Sequence, residues 1–132
     1  MKARFVTFVA AVLFCCVVTS AAEHTKDSLK TVKERLKKKT AVLIDVREMP
    51  EWKAGHLELA RLVPLSAIRN PEKRKKAAKK LPKDKIIYCH CRSGGRVLVV
   101  ADILKKGGFD IRPLKQGFAD LVRAGFRKAK RK

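Results

Sequence analysis

Apolar positions along this chain fall into short blocks that alternate between helical spacing and the continuous runs of buried strands. From Asp27 to Lys39, Leu29, Val32 and Leu36 recur at intervals of three and four, which makes one helical stripe apolar. The remaining positions there are mainly Lys, Arg, Thr and Glu, and Thr25 or Asp27 would cap the start. Ala41-Val42-Leu43-Ile44 is short, continuous and partly β-branched, and Asp45 closes it, so it predicts a buried strand. Pro50 to Ala54 forms a short helical turn ended by Gly55. Arg61-Leu62-Val63-Pro64-Leu65 predicts a short strand running into a loop. Pro71 to Lys80 is a basic helix with proline in its first turn, stopped ahead of Pro82. Ile86-Ile87-Tyr88-Cys89 is a second buried strand, and Cys91 to Gly95 is a tight glycine-containing loop. Arg96 to Lys106 is strongly amphipathic and is closed by Gly107-Gly108. Asp110 to Pro113 forms a last short strand, and Gln116 to Ala124 a last helix ended by Gly125. Arg127 to Lys132 reads as a frayed basic tail.

Short strands alternating with helices predict an α/β domain with a small, mainly parallel sheet flanked by helices on both faces. The chain has 132 residues, with no internal repeat and no dividing linker, so residues 23–132 are read as one domain. Sites in such sheets lie beyond the carboxyl ends of the strands. Cys91 falls just past one of those ends.

Residues 1–22 read as a leader and not as part of the domain. Lys2 and Arg4 precede an uncharged run from Phe5 to Val18, and Thr19-Ser20-Ala21-Ala22 offers small residues for cleavage before Glu23. The run is short for a membrane anchor, which needs about 20 apolar residues. Lipoprotein processing at Cys15-Cys16 is disfavoured by the bulk of Phe14. The expectation is an exported protein, periplasmic or secreted. Of four cysteines, Cys89 and Cys91 then remain, too few for a disulfide framework. An unpaired cysteine in an oxidising compartment suggests a thiol kept for chemistry.

The loop Cys91-Arg92-Ser93-Gly94-Gly95-Arg96 carries that chemistry. Its glycines let successive amides turn inward as an anion-binding nest, and the following helix adds the positive end of its dipole. Arg92 and Arg96 add formal charge, and such surroundings stabilise a thiolate. A lone cysteine beside a strand is often an inert core residue, but this loop context favours a nucleophile. Cys89, inside the strand pattern, reads instead as a packed core thiol. Strand alternation is expected to point it away from Cys91, so that a disulfide between them would need the loop to bend. Phosphatases that work through cysteine place an arginine six positions after it. Val97 stands there, and Arg96 comes one residue early. The shorter loop suits a single sulfur atom better than a tetrahedral phosphate.

At these residues the chain resembles the rhodanese (thiosulfate sulfurtransferase) family in its single-domain form. The resemblance runs from about Leu29 to Gly125. It is carried by Leu43-Ile44-Asp45-Val46-Arg47-Glu48, by Trp52 with Gly55-His56, by Tyr88 through Arg96, and by Gly107-Gly108-Phe109 and Gln116-Gly117-Phe118. It implies a rhodanese-like fold. It also implies that Cys91 takes a sulfane sulfur from a donor such as thiosulfate and passes it, as a persulfide, to cyanide or a thiol. Arg92 would attract the sulfonate end of the donor, and Arg92, Ser93, Gly94, Gly95 and Arg96 would hold the persulfide. Asp45, Arg47 and His56 are supporting residues of loop architecture, and Trp52 a core aromatic. No metal or organic cofactor is implied. The pattern departs at Glu58-Leu59, where the family has Pro-Gly, and at Leu121, where it has an aromatic.

Charge adds a further expectation. Lys and Arg number 33 against 12 Asp and Glu, a formal +21. Most charge runs are solvated surface. Neither a recognition motif nor stacking aromatics accompany the charge, so nucleic acid is not expected as a partner. The basic coat would steer anionic sulfur donors or touch an anionic envelope. The resemblance implies a small anionic donor and a thiol or cyanide acceptor as partners, and a monomer is expected. Two other readings stay open: a thiol-disulfide protein using Cys89 and Cys91, and a non-catalytic module that holds an anion.

Overall fold

The computed structural model describes residues 20–131. The expected leader lies outside the described residues as far as Thr19.

Ten elements follow the alternation in the sequence: α1 (Leu29–Lys37), β1 (Ala41–Asp45), α2 (Met49–Ala54), β2 (Ala60–Leu62), α3 (Leu65–Arg69), α4 (Pro71–Ala78), β3 (Ile86–His90), α5 (Arg96–Lys106), β4 (Ile111–Pro113) and α6 (Phe118–Arg123). The strands form one sheet in the order β2-β1-β3-β4, and every pairing is parallel. From β1 the chain first crosses to β2 on one side, then returns to place β3 on the other. The gap above β1 and β3 is therefore the topological switch point, where such folds open a crevice. The register pairs Asp45 with His90, so both strands deliver polar ends to that crevice.

Alternation along the strands divides the core between two faces. Ile44, Ile87, Cys89 and Ile111 pack with Ile68 of α3 and with Val97, Val100, Ala101 and Leu104 of α5. Ala41, Leu43 and Tyr88 pack on the other face with Val32 and Leu36 of α1 and Leu121 of α6. Burying each large aliphatic side chain stabilises the fold by roughly 1.5–3 kcal/mol. The two faces together explain why the strands are apolar at nearly every position.

Several local expectations are corrected. Ser28, not Thr25 or Asp27, caps α1, its side chain accepting the Thr31 amide. Asp27 instead accepts hydrogen bonds from the Tyr88 hydroxyl (2.7 Å), Arg35 (2.7 Å) and Arg112 (2.9 Å), which ties the start of α1 to β3 and β4. Leu65 opens α3 and does not end a strand, because Pro64 turns the chain and Leu65 and Ile68 bury one side of a helical turn. The basic tail is docked rather than frayed. The Glu58 amide donates to Arg127 O (2.9 Å) and the Ala129 amide to His56 O (2.9 Å), around an antiparallel bridge from Leu57 to Lys128.

The segment ahead of α1 is also folded. Ala22 is 8% exposed within the core, and its amide donates to Asp102 of α5 at 2.6 Å. The Thr25 amide donates to Pro113 O of β4 at 2.8 Å. A cut before Glu23 would thus remove a packed residue.

Candidate active site

Cys91 leaves β3 at the centre of the sheet, with two of the four strands on one side and one on the other. Its side chain sits at the base of a short loop and is 1% exposed. Its Sγ accepts the Gly94 amide at 3.1 Å. Gly94 has φ +86°, a conformation that costs glycine little and other residues much. A Cβ there would also lie 2.5 Å from the Lys115 carbonyl oxygen. Gly95 differs: an added Cβ would meet nothing within 4 Å, and the residue serves as the N-cap of α5.

The neighbouring turn braces this loop. The Phe118 amide donates to Cys91 O at 2.9 Å. Gly117 passes so close that a Cβ would lie 1.8 Å from the Arg92 carbonyl oxygen. Gln116-Gly117-Phe118, which the sequence places only in a later turn, is thus a wall of the site.

The predicted loop residues divide into two groups. Arg92 and Ser93 are exposed at the mouth, where their side chains are open to solvent. Arg96 is engaged: its guanidinium makes two hydrogen bonds of 2.7 Å to the two carboxylate oxygens of Glu51. That pairing holds the Glu51 carboxyl down to about 2. Glu51 also accepts the Glu48 amide at the start of α2. Arg96 therefore acts first as a tie between α2 and α5, while its place at the start of α5 keeps its backbone beside the loop.

Asp45 and Arg47 form a buried pair at the end of β1. Arg47 Nη2 donates to Asp45 Oδ2 at 2.8 Å, and Nε donates to the same carboxylate at 3.0 Å. Nη2 also reaches Gly55 O at 2.8 Å, and the guanidinium lies 4.2 Å from the Phe118 ring centre. One side chain thus joins the end of β1, the end of α2 and the start of α6. His56 stacks on Trp52 with ring centres 3.7 Å apart and donates through Nδ1 to Trp52 O at 3.0 Å. Trp52 is half-buried and belongs to this stack, not to the core.

Sequence reasoning missed His90, Glu51 and His24. His90 is fully buried, with Nδ1 3.4 Å from Cys91 O, while Nε2 lies 3.5 Å from Asp45 Oδ2 and has no hydrogen-bond partner among the described residues. Burial pushes its imidazole below the usual range against the pull of Asp45. Counting parity along β3, which sets His90 on the face of Tyr88, would have flagged it as an inward polar residue.

The expectation that Cys89 and Cys91 point apart is wrong. Residues two apart share a strand face, and both thiols lie in one core cluster. Both are free. Cys89 is fully buried, and burial pushes its thiol far up, so it is a poor source of thiolate. Among the described residues, no three His, Cys, Asp or Glu side chains gather as a metal site would require.

A cysteine at a switch point, its sulfur met by an amide of a glycine loop that leads into a helix, marks a recognisable class of α/β protein. Residues 28–124 match the model of the rhodanese-like domain, and the chain belongs to that family. Over 101 residues it is 35% identical to the probable adenylyltransferase/sulfurtransferase MoeZ of Mycobacterium tuberculosis, covering 73% of this chain but 25% of MoeZ. The chain thus spans about a quarter of that relative's length. Among solved structures, a rhodanese-related protein from Thermoplasma volcanium superposes with a TM-score of 0.62 at 23% identity, covering 76% of this chain and 92% of the other. The human single-domain sulfurtransferase TSTD1 gives 0.59 at 23% identity, covering 72% and 92%. At that identity the two structures speak for the fold.

Proposed function

We propose that this chain is a sulfurtransferase working through a Cys91 persulfide. The observation that carries the reading is the Gly94 amide on Cys91 Sγ at 3.1 Å, a donor already aimed at the sulfur that must bear charge. In the first half-reaction the Cys91 thiolate attacks the sulfane sulfur of thiosulfate. The donor's S–S bond breaks, its electron pair leaves with sulfite, and a persulfide remains on Cys91. In the second, a thiolate or cyanide attacks the outer sulfur and Cys91 leaves as thiolate. Each displacement is easier than direct transfer between two small anions.

Exposed Arg92 suits the sulfonate end of the donor, and a Cys91 side chain that is 1% exposed suits a small incoming group. The leader supports export, and the periplasm is the proposed compartment. The redox-pair reading is disfavoured by Cys89, whose burial keeps it protonated. The test is thiocyanate formation from thiosulfate and cyanide. Wild type should turn over and Cys91→Ser should not. Equal rates in the two proteins would refute the role of Cys91.

A further inference from the structure

We infer that His24 is a positioning residue for the Cys91 cradle, acting through the Gly94 carbonyl, a role that rests on Cys91 being the reacting group. His24 lies ahead of the residues that match the family model. Its Nε2 is 2.6 Å from Gly94 O. A carbonyl only accepts, so Nε2 carries the hydrogen and donates. Gly94 is thus held at both ends, its amide on Cys91 Sγ at 3.1 Å and its carbonyl on His24.

The geometry of one peptide unit gives this contact its consequence. A trans peptide sets the Gly94 carbonyl and the Gly95 N–H in one plane, pointing in opposite directions across the C–N bond. Holding the carbonyl toward His24 fixes the direction of the Gly95 N–H and polarises it as a donor. Gly94 is at φ +86°, and glycine has many alternative conformations, so an outside restraint matters more here than at an ordinary residue. The restraint is itself anchored. The strap that carries His24 is fixed to α5 through the Ala22 amide on Asp102 and to β4 through the Thr25 amide on Pro113 O.

The test compares His24→Ala with His24→Gln, whose amide can donate to the same carbonyl. The first readout is the rate at which iodoacetamide alkylates Cys91, followed by the mass of the Cys91 peptide. His24→Ala should slow alkylation by about three- to tenfold, as the loss of one hydrogen bond implies. His24→Gln should restore most of the rate. The sulfurtransferase kcat for thiosulfate should follow the same order. A His24→Ala protein that alkylates at the wild-type rate, or a His24→Gln protein as slow as His24→Ala, would overturn the role. Alkylation needs no sulfur donor, so failure of the sulfurtransferase reading shows separately, as wild type that alkylates normally and never turns over thiosulfate.

Ala22 independently points to where the leader is cut: between Ala21 and Ala22, one residue earlier than the sequence pattern suggests. Ser20 and Ala21 are exposed, whereas Ala22 is packed and its nitrogen lies 2.6 Å from an Asp102 carboxylate oxygen. Cleavage there leaves Thr19 and Ala21 at the −3 and −1 positions, both small enough for the peptidase. The new ammonium would then pair with Asp102 in a charge-assisted bond. N-terminal sequencing of the full chain expressed in a Gram-negative host decides this. A start at Ala22 supports it. A start at Glu23 overturns the position, and an uncut chain overturns export as well.

Discussion

Glu51 and Arg96 meet through two hydrogen bonds of 2.7 Å each, and the pair fastens α2 to the first residue of the helix behind Cys91. Neither residue needs to touch a substrate for this to matter. The start of α5 sets the direction of the loop amides, and the ion pair limits its movement.

The pair has a defined dependence on pH. Arg96 lowers the Glu51 carboxyl from 4.5 to about 2 in the folded protein. Its folded value is depressed, so its stabilisation is fully present above about pH 4.5 and is lost as the pH falls toward 2. Both side chains are 30% exposed, and screening reduces the contribution to about 1 kcal/mol. Glu51→Gln should therefore lower the melting temperature by several degrees at pH 7 and by progressively less as the pH falls below 4.5. A constant difference from pH 7 to pH 2.5 would contradict the account.

Two glycines of similar appearance should respond to very different degrees. Gly117→Ala forces a methyl group to 1.8 Å from the Arg92 carbonyl, so the loop or α6 must move. Roughly 1–3 kcal/mol of stability should go, as for other overpacked sites, together with most of the thiosulfate activity. Gly95→Ala meets nothing within 4 Å, and its φ is −88°. That variant should keep its fold, losing no more than about 1 kcal/mol from the helix cap. Thermal melts of the pair check the contrast.

Much of this was legible in the sequence, and most of the remainder came from contacts between distant parts of the chain. The limits of α5 at Arg96 and Lys106 could be read directly, because its apolar stripe is long and a glycine pair ends it. The place of Cys91 followed from a buried strand and a glycine loop. The run Arg61 to Leu65 was misleading because the last two residues of β2, the connecting Val63-Pro64 and the first residue of α3 follow one another with an unbroken apolar stretch from Leu62 to Leu65. His24 on Gly94, the tail on residues 56–58 and Glu51 on Arg96 are contacts between distant parts of the chain. They leave no periodic trace, and each element looks polar and loose by itself. His90 was hidden differently, as a polar residue at the end of an apolar run.

Cys89 should be dispensable for transfer. It is fully buried and packs against α5, with its thiol 3.9 Å from Val97 O. Cys89→Ala should cost about 1 kcal/mol of stability, as expected for a small core truncation. The kcat for thiosulfate should stay within about threefold of wild type, a range of roughly 0.7 kcal/mol in barrier height. Abolished activity in a folded Cys89→Ala protein would favour the redox pair.

The basic coat should show itself in the approach of the donor. With 33 Lys and Arg against 12 Asp and Glu, the surface field favours anions. The kcat/KM for thiosulfate should fall several-fold between roughly 20 mM and 500 mM salt, as the screening length shrinks. The kcat should change little. A flat kcat/KM would mean that the charge does not steer the donor.

The most direct test of the central claim is the intact mass of the reduced protein before and after thiosulfate, with Cys91→Ser beside it. The account predicts a gain of one sulfur atom in wild type, reversed by cyanide, and none in Cys91→Ser. A sulfur gained equally by both proteins would contradict the assignment of Cys91 as the persulfide carrier, and no gain in wild type would contradict thiosulfate as the donor.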